Sequence, residues 1–221
     1  MRKIQLVLVA LIVLILSAFK ADHVITIYMI GDSTMSNKPL EGNNQERGWG
    51  HVLGSFFTED VRVENHAMNG RSSKSFIDEG RWETVVNKIR PGDYVFIQFG
   101  HNDEKPQPER HTDPGTTFDE NLRKFVRETR AKGGIPVLFN SIVRRNFGVN
   151  PDAVAADDIR PEKDEAVVEG DTLIDTHGKY LESPRNVAKE MDVCFIDLNQ
   201  ATKKLVESYG VEGSKKLFMW I

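Results

Sequence analysis

Three short stretches of this sequence place a potential nucleophile or hydrogen-bond donor beside a glycine. They are Gly31-Asp32-Ser33-Thr34, Asn69-Gly70-Arg71-Ser72-Ser73 and Gly100-His101-Asn102-Asp103. A serine hydroxyl can attack an ester carbonyl when a base activates it and when donors stabilise the resulting oxyanion. Ser33 could supply the hydroxyl and its own backbone N–H. Gly70 could supply an unobstructed backbone N–H, and Asn102 a side-chain NH₂. These residue types together predict acyl transfer.

Each stretch also has an ordinary structural interpretation. Gly-Asp-Ser and Asn-Gly are common turn sequences. Asn102 could cap a helix or close an Asx-turn, and His101 could pack or hydrogen-bond structurally. The position of the three stretches along the chain favours the chemical interpretation, because each one follows a predicted strand.

Short apolar or alternating runs predict five strands, and helical spacing with stop signals predicts the segments between them. The strands are expected at 24–30, 61–65, 93–99, 135–140 and 193–198, and the helices at 48–57, 82–89, 118–131, 184–191 and 201–209. Strands that alternate with helices predict a mainly parallel sheet with helices on both faces. Because ligands bind beyond the carboxyl ends of such strands, Ser33, Gly70 and Asn102 are expected to converge at one edge.

The first 21 residues are typical of a secretory signal peptide. Arg2 and Lys3 precede an uncharged apolar run from Ile4 to Ala18, and small residues follow. The alternative is an uncleaved membrane anchor, although the run is short for a membrane span. We therefore expect a secreted or periplasmic protein, with residues 22–221 forming a single domain.

Composition excludes several classes of function. The formal net charge is −4 without a cluster of Lys or Arg, which argues against a nucleic-acid partner. The only cysteine, Cys194, cannot form an intramolecular disulfide. Its apolar neighbours predict a buried, inert thiol. The acidic stretch 143–180 has little periodicity and is expected to be a long surface excursion.

The three glycine-containing stretches, in this order, resemble the first three signature blocks of the SGNH (GDSL-type) hydrolases. Gly48-Trp49-Gly50 and Asp175-Thr176-His177-Gly178 are similar to segments of the rhamnogalacturonan acetylesterase branch. The resemblance extends from about Ile25 to Leu217. It implies a flavodoxin-like three-layer α/β/α fold with a parallel five-stranded sheet, and a serine esterase that uses neither metal nor cofactor.

Carried over residue by residue, the resemblance makes Ser33 the nucleophile. The backbone N–H groups of Ser33 and Gly70 and the side chain of Asn102 would form the oxyanion hole. For this branch the expected substrate is O-acetyl groups on a pectin-type polysaccharide or oligosaccharide.

The sequence departs from the family pattern at the last block. That block is an Asp-x-x-His pair, which provides the general base and the carboxylate that orients it. No such pair follows the fifth predicted strand, so we expect a chain truncated before its base and nearly inactive. His177 could instead be the general base, with Asp175 as the carboxylate that orients it. A structural histidine beside an acid is the simpler interpretation.

Two other functions compete with the esterase. A non-catalytic carbohydrate-binding pseudoenzyme would explain the missing base. A flavodoxin-like nucleotide or flavin binder is suggested by fold alone, and the chain lacks the Gly-rich phosphate loop that it would need.

Overall fold

The computed structural model describes residues 24–147, 173–174 and 176–218 of the chain. The described residues form one five-stranded sheet in the order β2-β1-β3-β4-β5, with every neighbouring pair parallel. The strands are β1 (Ile25–Gly31), β2 (Val61–Asn65), β3 (Tyr94–Gln98), β4 (Ile135–Phe139) and β5 (Cys194–Ile196). This order is that of flavodoxin-like folds, and it confirms the predicted fold class.

Within the described residues, five α-helices connect and cover the strands. They are α1 (Ser73–Asp78), α2 (Arg81–Val86), α3 (Thr117–Ala131), α4 (Glu182–Met191) and α5 (Leu198–Ser214). Helix α1 was not predicted, and α5 continues past Gly210, where the backbone is non-helical. Short 3₁₀ helices span Trp49–His51, Leu53–Phe56, Gly178–Leu181 and Lys215–Leu217.

The two faces of the sheet are covered differently. Tyr28 and Ile30 of β1 pack in a large core with α1 to α4, whereas Ile27 and Met29 pack in a smaller core on the opposite face. This follows from the two-residue period of a strand buried on both sides. The smaller core is closed by the turn after β1 and by the 3₁₀ segment that contains Trp49.

Helix α3 shows how the sequence specifies the larger core. Its apolar residues recur with a helical period, so that one face is buried; Phe118, Leu122, Phe125 and Val126 are fully buried. Phe125 stacks on Phe99 with the ring centroids 5.5 Å apart and meets Trp82 edge-on at 5.0 Å. Replacing a phenylalanine in such a site by alanine typically costs about 3–5 kcal/mol.

The predicted helix at 48–57 is wrong in type. The segment forms two 3₁₀ helices, and Val52 and Phe56 are exposed rather than turned inward. Two glycines fix this segment against the turn after β1. A Cβ at Gly48 would lie 2.2 Å from the carbonyl oxygen of Ser36, and one at Gly50 would lie 2.6 Å from that of Met35. Backbone contact of this kind selects glycine, which disfavours a regular helix.

The prediction of a buried Cys194 is also wrong. Cys194 is exposed, and so is Ile196, which projects to the same side of β5. Phe195 projects to the other side and packs against the larger core. Because β5 is an edge strand, its apolar sequence alone could not show that one of its faces is uncovered.

Some of the sequence predictions concern residues that the structure does not describe. The predicted signal peptide (1–21), most of the predicted excursion (148–172) and Asp175 lie outside the described residues. Within the described ranges, no helix has the length and apolar character needed to cross a membrane.

Candidate active site

The three loops that carry Ser33, Gly70 and Asn102 follow three adjacent strands at the same edge of the sheet. Ser33 follows β1, Gly70 follows β2 and Asn102 follows β3, and these strands are neighbours in the order β2-β1-β3. Direct bonds join the loops. The Met68 N–H donates to the Gly31 carbonyl at 2.9 Å, and the Asn102 Nδ2 donates to the Arg71 carbonyl at 3.3 Å.

Ser33 lies in a tight turn rather than at the start of a helix. The N–H groups of Met35 and Ser36 both donate to the Asp32 carbonyl, at 3.3 and 3.1 Å. The Asp32 carboxylate closes an Asx-type turn, since its Oδ1 accepts from the Thr34 N–H at 2.9 Å and the Thr34 hydroxyl at 2.8 Å. Ser33 is half-buried, and it lies between two residues that bind each other across it.

A directional chain of hydrogen bonds connects this turn to β3 and to the 3₁₀ segment that contains Trp49. The Trp49 indole donates to Gln98 Oε1 at 2.5 Å, Gln98 Nε2 donates to Thr34 Oγ1 at 2.7 Å, and Thr34 Oγ1 donates to Asp32. Every donor points towards the Asp32 carboxylate, so the chain polarises in one direction and stabilises the negative charge at its end. Gln98 is fully buried.

Asp32 is a fully buried carboxyl group beside the candidate nucleophile. Burial raises its pKa, while the hydrogen bonds from Thr34 and the charges of His177 and Arg144 oppose that shift. Its second oxygen, Oδ2, has no hydrogen-bond partner among the described residues.

The Gly70 loop leaves its backbone accessible. Gly70 has φ of +75°, and no atom lies within 4 Å of the position that a Cβ would occupy. The preceding Asn69 is anchored at its side-chain oxygen, which accepts from the Ser36 hydroxyl and from Lys38 Nζ, both at 2.6 Å. Position 70 therefore requires glycine because of its positive φ, and not because a side chain would lack space.

Asn102 is 5% exposed, and both ends of its amide have protein contacts. Its Nδ2 donates to the Arg71 carbonyl at 3.3 Å, and its Oδ1 lies 3.4 Å from Nη1 of Arg110. Arg110 comes from the loop between β3 and α3. The sequence did not indicate this contact, because an arginine in a polar loop has no distinctive pattern.

Asp103 anchors the Asn102 loop towards the Gly70 loop. Its carboxylate accepts from the Ser73 N–H at 3.0 Å, from the Ser73 hydroxyl, and from the Thr112 hydroxyl at 2.9 Å. Ser73 is the first residue of α1 and follows the N-cap Ser72, which forms a capping box with Ser75. Burial raises the pKa of Asp103 to about 7, against the opposing effect of its hydrogen bonds, and the Asp32 charge contributes to the rise.

Glu104 anchors the same loop on its other side. Its Oε1 pairs with Arg144, which follows β4, and its Oε2 lies 3.0 Å from Nδ1 of His177. Burial pushes the pKa of Glu104 upward, but the His177 hydrogen bond and the Arg144 charge outweigh it, so that the pKa is lowered overall. Arg144 and His177 lie 40 and 73 positions after Glu104 in the sequence. No sequence pattern links such distant positions, so these contacts were not predicted.

His177 is held in a structural role. It is 2% exposed, and its Nε2 lies 3.1 Å from the Ile142 carbonyl while its Nδ1 binds Glu104. Both ring nitrogens are thus engaged in the protein interior, which supports the structural interpretation over a base formed by Asp175 and His177. Asp175 itself lies outside the described residues.

Four other histidines lie in the described ranges, and two of them have carboxylate partners of their own. Nδ1 of a third, His51, accepts from the Lys38 N–H at 3.3 Å. His101 is 8% exposed and its Nε2 has no hydrogen-bond partner among the described residues. Burial and the nearby His177 and Arg144 charges lower its pKa well below the usual range. His66 pairs with Glu64 after β2, and His111 contacts Lys105 and Asp113. In the described ranges, no group of three or more His, Cys, Asp or Glu could hold a metal ion.

Comparison with known proteins assigns the family. Residues 29–211 match the GDSL-like lipase/acylhydrolase family. The chain belongs to this family.

Curated relatives of this GDSL-family chain include two Bacillus subtilis proteins. It is 40% identical over 196 residues to the rhamnogalacturonan acetylesterase RhgT, which covers 89% of this chain and 74% of that protein. It is 32% identical over 200 residues to the probable rhamnogalacturonan acetylesterase YesY, covering 90% and 80%. These relatives support a carboxylic ester hydrolase.

Solved structures confirm the fold of this family member. The structure of YxiM from Bacillus subtilis superposes with a TM-score of 0.70 and 26% identity, covering 88% of this chain and 49% of that one. A catalytic mutant of Axe2, an acetylxylan esterase from Geobacillus stearothermophilus, superposes with a TM-score of 0.57 and 15% identity. It covers 83% of this chain and 80% of that one.

Proposed function

We propose that this chain is a secreted carbohydrate acetylesterase that acts on O-acetyl groups of pectin-type polysaccharide. The observation that carries the substrate class is the 40% identity to RhgT over 89% of the chain. The family assignment supports the ester hydrolase chemistry. Secretion after removal of residues 1–21, and a single domain over residues 22–221, remain parts of this proposal.

The proposed mechanism assigns one role to each of the three loops. The Ser33 oxygen attacks the acetyl carbonyl, and the bond between the acetyl carbon and the carbohydrate oxygen breaks. The Ser33 proton passes to the departing carbohydrate oxygen, which leaves as a hydroxyl, and the acetyl group remains on Ser33. Water then releases acetate. The negative oxygen of each tetrahedral intermediate is bound by the N–H groups of Ser33 and Gly70 and by Nδ2 of Asn102. A donor of this kind contributes about 10²–10³ in rate.

We also propose that the 221-residue chain hydrolyses esters only slowly. A serine hydroxyl is protonated at neutral pH and requires a base to become nucleophilic. His177 has both ring nitrogens engaged, and Nε2 of His101 has no hydrogen-bond partner among the described residues. In subtilisin, oxyanion donors and binding alone retain a rate roughly 10³–10⁴ above that in water when the catalytic residues are removed.

A carbohydrate-binding protein without catalysis is the second candidate. The observation that favours it is the same engagement of His177 within the protein interior. Such a protein would bind acetylated rhamnogalacturonan tightly, and it would release no acetate that depends on Ser33.

The test is acetate release by the chain and by its Ser33→Ala variant. Acetylated rhamnogalacturonan, acetylated xylan and an aryl acetate are compared. We expect slow release that is lost in Ser33→Ala and is faster on rhamnogalacturonan than on xylan. Equal release by the variant would refute Ser33 as nucleophile, whereas a preference for xylan would refute the substrate class.

A further inference from the structure

Asn102 carries an amide whose two ends look alike in shape but differ in chemistry. To act as an oxyanion donor it must present N–H rather than C=O to the substrate. An amide that can rotate by 180° about its last bond would present the wrong end part of the time. A residue that fixes this rotation would therefore control the oxyanion site without touching the substrate.

The contacts of Asn102 favour one orientation of its amide over the reversed one. The Arg71 carbonyl can only accept, and it lies 3.3 Å from Nδ2. The Arg110 guanidinium can only donate, and its Nη1 lies 3.4 Å from Oδ1. Reversing the amide would place carbonyl against carbonyl and NH₂ against guanidinium, so both contacts would become repulsive. One N–H of Nδ2 is used by Arg71, and the second N–H is the one that the proposed oxyanion role requires.

Arg110 is delivered to this position by a loop that is itself fixed. The Thr112 N–H donates to the Asp103 carbonyl at 3.0 Å, and the Thr112 hydroxyl donates to the Asp103 carboxylate. The Arg110 N–H closes a turn on the Gln107 carbonyl at 2.9 Å. The loop thus folds back onto the residue that follows Asn102, and this brings Arg110 to the amide.

We propose that Arg110 is a positioning residue for the Asn102 oxyanion donor. It fixes the orientation of the amide, and its positive charge polarises the remaining N–H towards the negative oxygen. This inference rests on the proposed role of Asn102 in the esterase. Its effect depends on Asn102, since Arg110 acts through that side chain.

A double-mutant cycle tests the proposal with the chain as it exists. The rate constant for phosphonylation of Ser33 by a fluorophosphonate is measured by intact-mass spectrometry, because the phosphonylation transition state carries charge on the oxygen that the donors would bind. The variants are Arg110→Gln, Asn102→Ala and both together. Arg127→Gln, which removes an exposed cation on α3, serves as the matched control, and thermal unfolding of every variant monitors folding.

We expect Arg110→Gln to slow labelling about 10-fold to 100-fold, the range that misplacement of a catalytic group can produce. We expect Arg110→Lys to restore part of the rate and Arg127→Gln to leave it unchanged. In the Asn102→Ala background, Arg110→Gln should have no further effect, which a merely structural role could not reproduce.

The outcomes distinguish a failure of the positioning role of Arg110 from a failure of the oxyanion role of Asn102. If Asn102→Ala slows labelling but Arg110→Gln does not, the positioning role is refuted while the esterase site stands. If Arg110→Gln slows labelling equally in both backgrounds, Arg110 acts independently of Asn102 and the proposal is wrong. If Asn102→Ala has no effect, or if Ser33 is not labelled at all, the oxyanion assignment fails and the inference fails with it.

Discussion

The ring of His177 meets the ring of His101 edge-on, with the centroids 4.4 Å apart and the planes inclined by 77°. One ring is bound through both nitrogens, and the other has a buried Nε2 without a partner among the described residues. Glu104 supplies a carboxylate partner for Nδ1 of His177, as a triad carboxylate would. The other nitrogen, Nε2, is bound to the Ile142 carbonyl and is therefore not available to take a proton from Ser33.

If Ser33 lacks an oriented base, imidazole added to the buffer should replace it in part. We expect imidazole to raise the Ser33-dependent hydrolysis of an aryl acetate about ten-fold, because a general base typically contributes more than this when positioned. The rate measured with Ser33→Ala is subtracted, since imidazole itself cleaves such esters. A Ser33-dependent rate that is high without imidazole and insensitive to it would show that a base lies within the chain.

The buried carboxyl of Asp103 should make stability fall as the pH rises. Its folded pKa of about 7 lies above the value of about 3.8 for an unfolded aspartate, so the folded state binds the proton more tightly in this window. The stability associated with the protonated form is present at pH 4 and is lost as the pH rises through 7. Relative to Asp103→Asn, the unsubstituted chain should lose on the order of 3 kcal/mol between these limits.

Urea unfolding of both proteins at several pH values between 4.5 and 7.5 measures that difference. Using the difference between the two proteins cancels the titration of groups that do not interact with Asp103, including His101, whose lowered pKa acts in the opposite direction. Parallel pH profiles for the two proteins would contradict the raised pKa of Asp103.

Glu104→Gln should destabilise the fold strongly. The substitution leaves the positive charge of Arg144, 13% exposed at its side chain, without its carboxylate partner. Removing one member of a buried pair typically costs about 3 kcal/mol or more. Urea unfolding at neutral pH is the measurement. Glu120→Gln, which breaks an exposed pair with Arg127, is the matched control and should change little. A loss no larger than that of the control would show that the Glu104 cluster is not a structural support.

Cys194 should react with a thiol reagent in the native state. Because the side chain is exposed on β5, we expect dithionitrobenzoate to modify one thiol per chain, at nearly the rate found in urea. Cys194→Ser provides the blank. Protection of the thiol until the chain unfolds would instead restore the original prediction of a buried cysteine.

Local patterns predicted most of the fold, and long-range contacts account for what they missed. The strands around Ile30 and Ile97 were found because a buried strand has a recognisable composition, and the site loops because they follow those strands. The pairing of Glu104 with Arg144 and His177 was not predictable, since no periodicity links such distant positions. The spacing at 48–57 predicted a helix, but Gly48 and Gly50 press the backbone onto a neighbouring turn. Cys194 was misjudged because its sequence does not reveal that β5 lies at an edge.

The hydrogen-bond chain from Trp49 to Asp32 gives the protein an intrinsic optical probe. Indole emission depends on the hydrogen bond and the charges around the ring, and this indole is connected through Gln98 and Thr34 to the carboxylate beside Ser33. Trp82, on α2, bonds to Glu128 on α3 instead and packs in the larger core. Modification of Ser33 could therefore be followed by fluorescence without a label, with Trp49→Phe identifying the tryptophan that reports it.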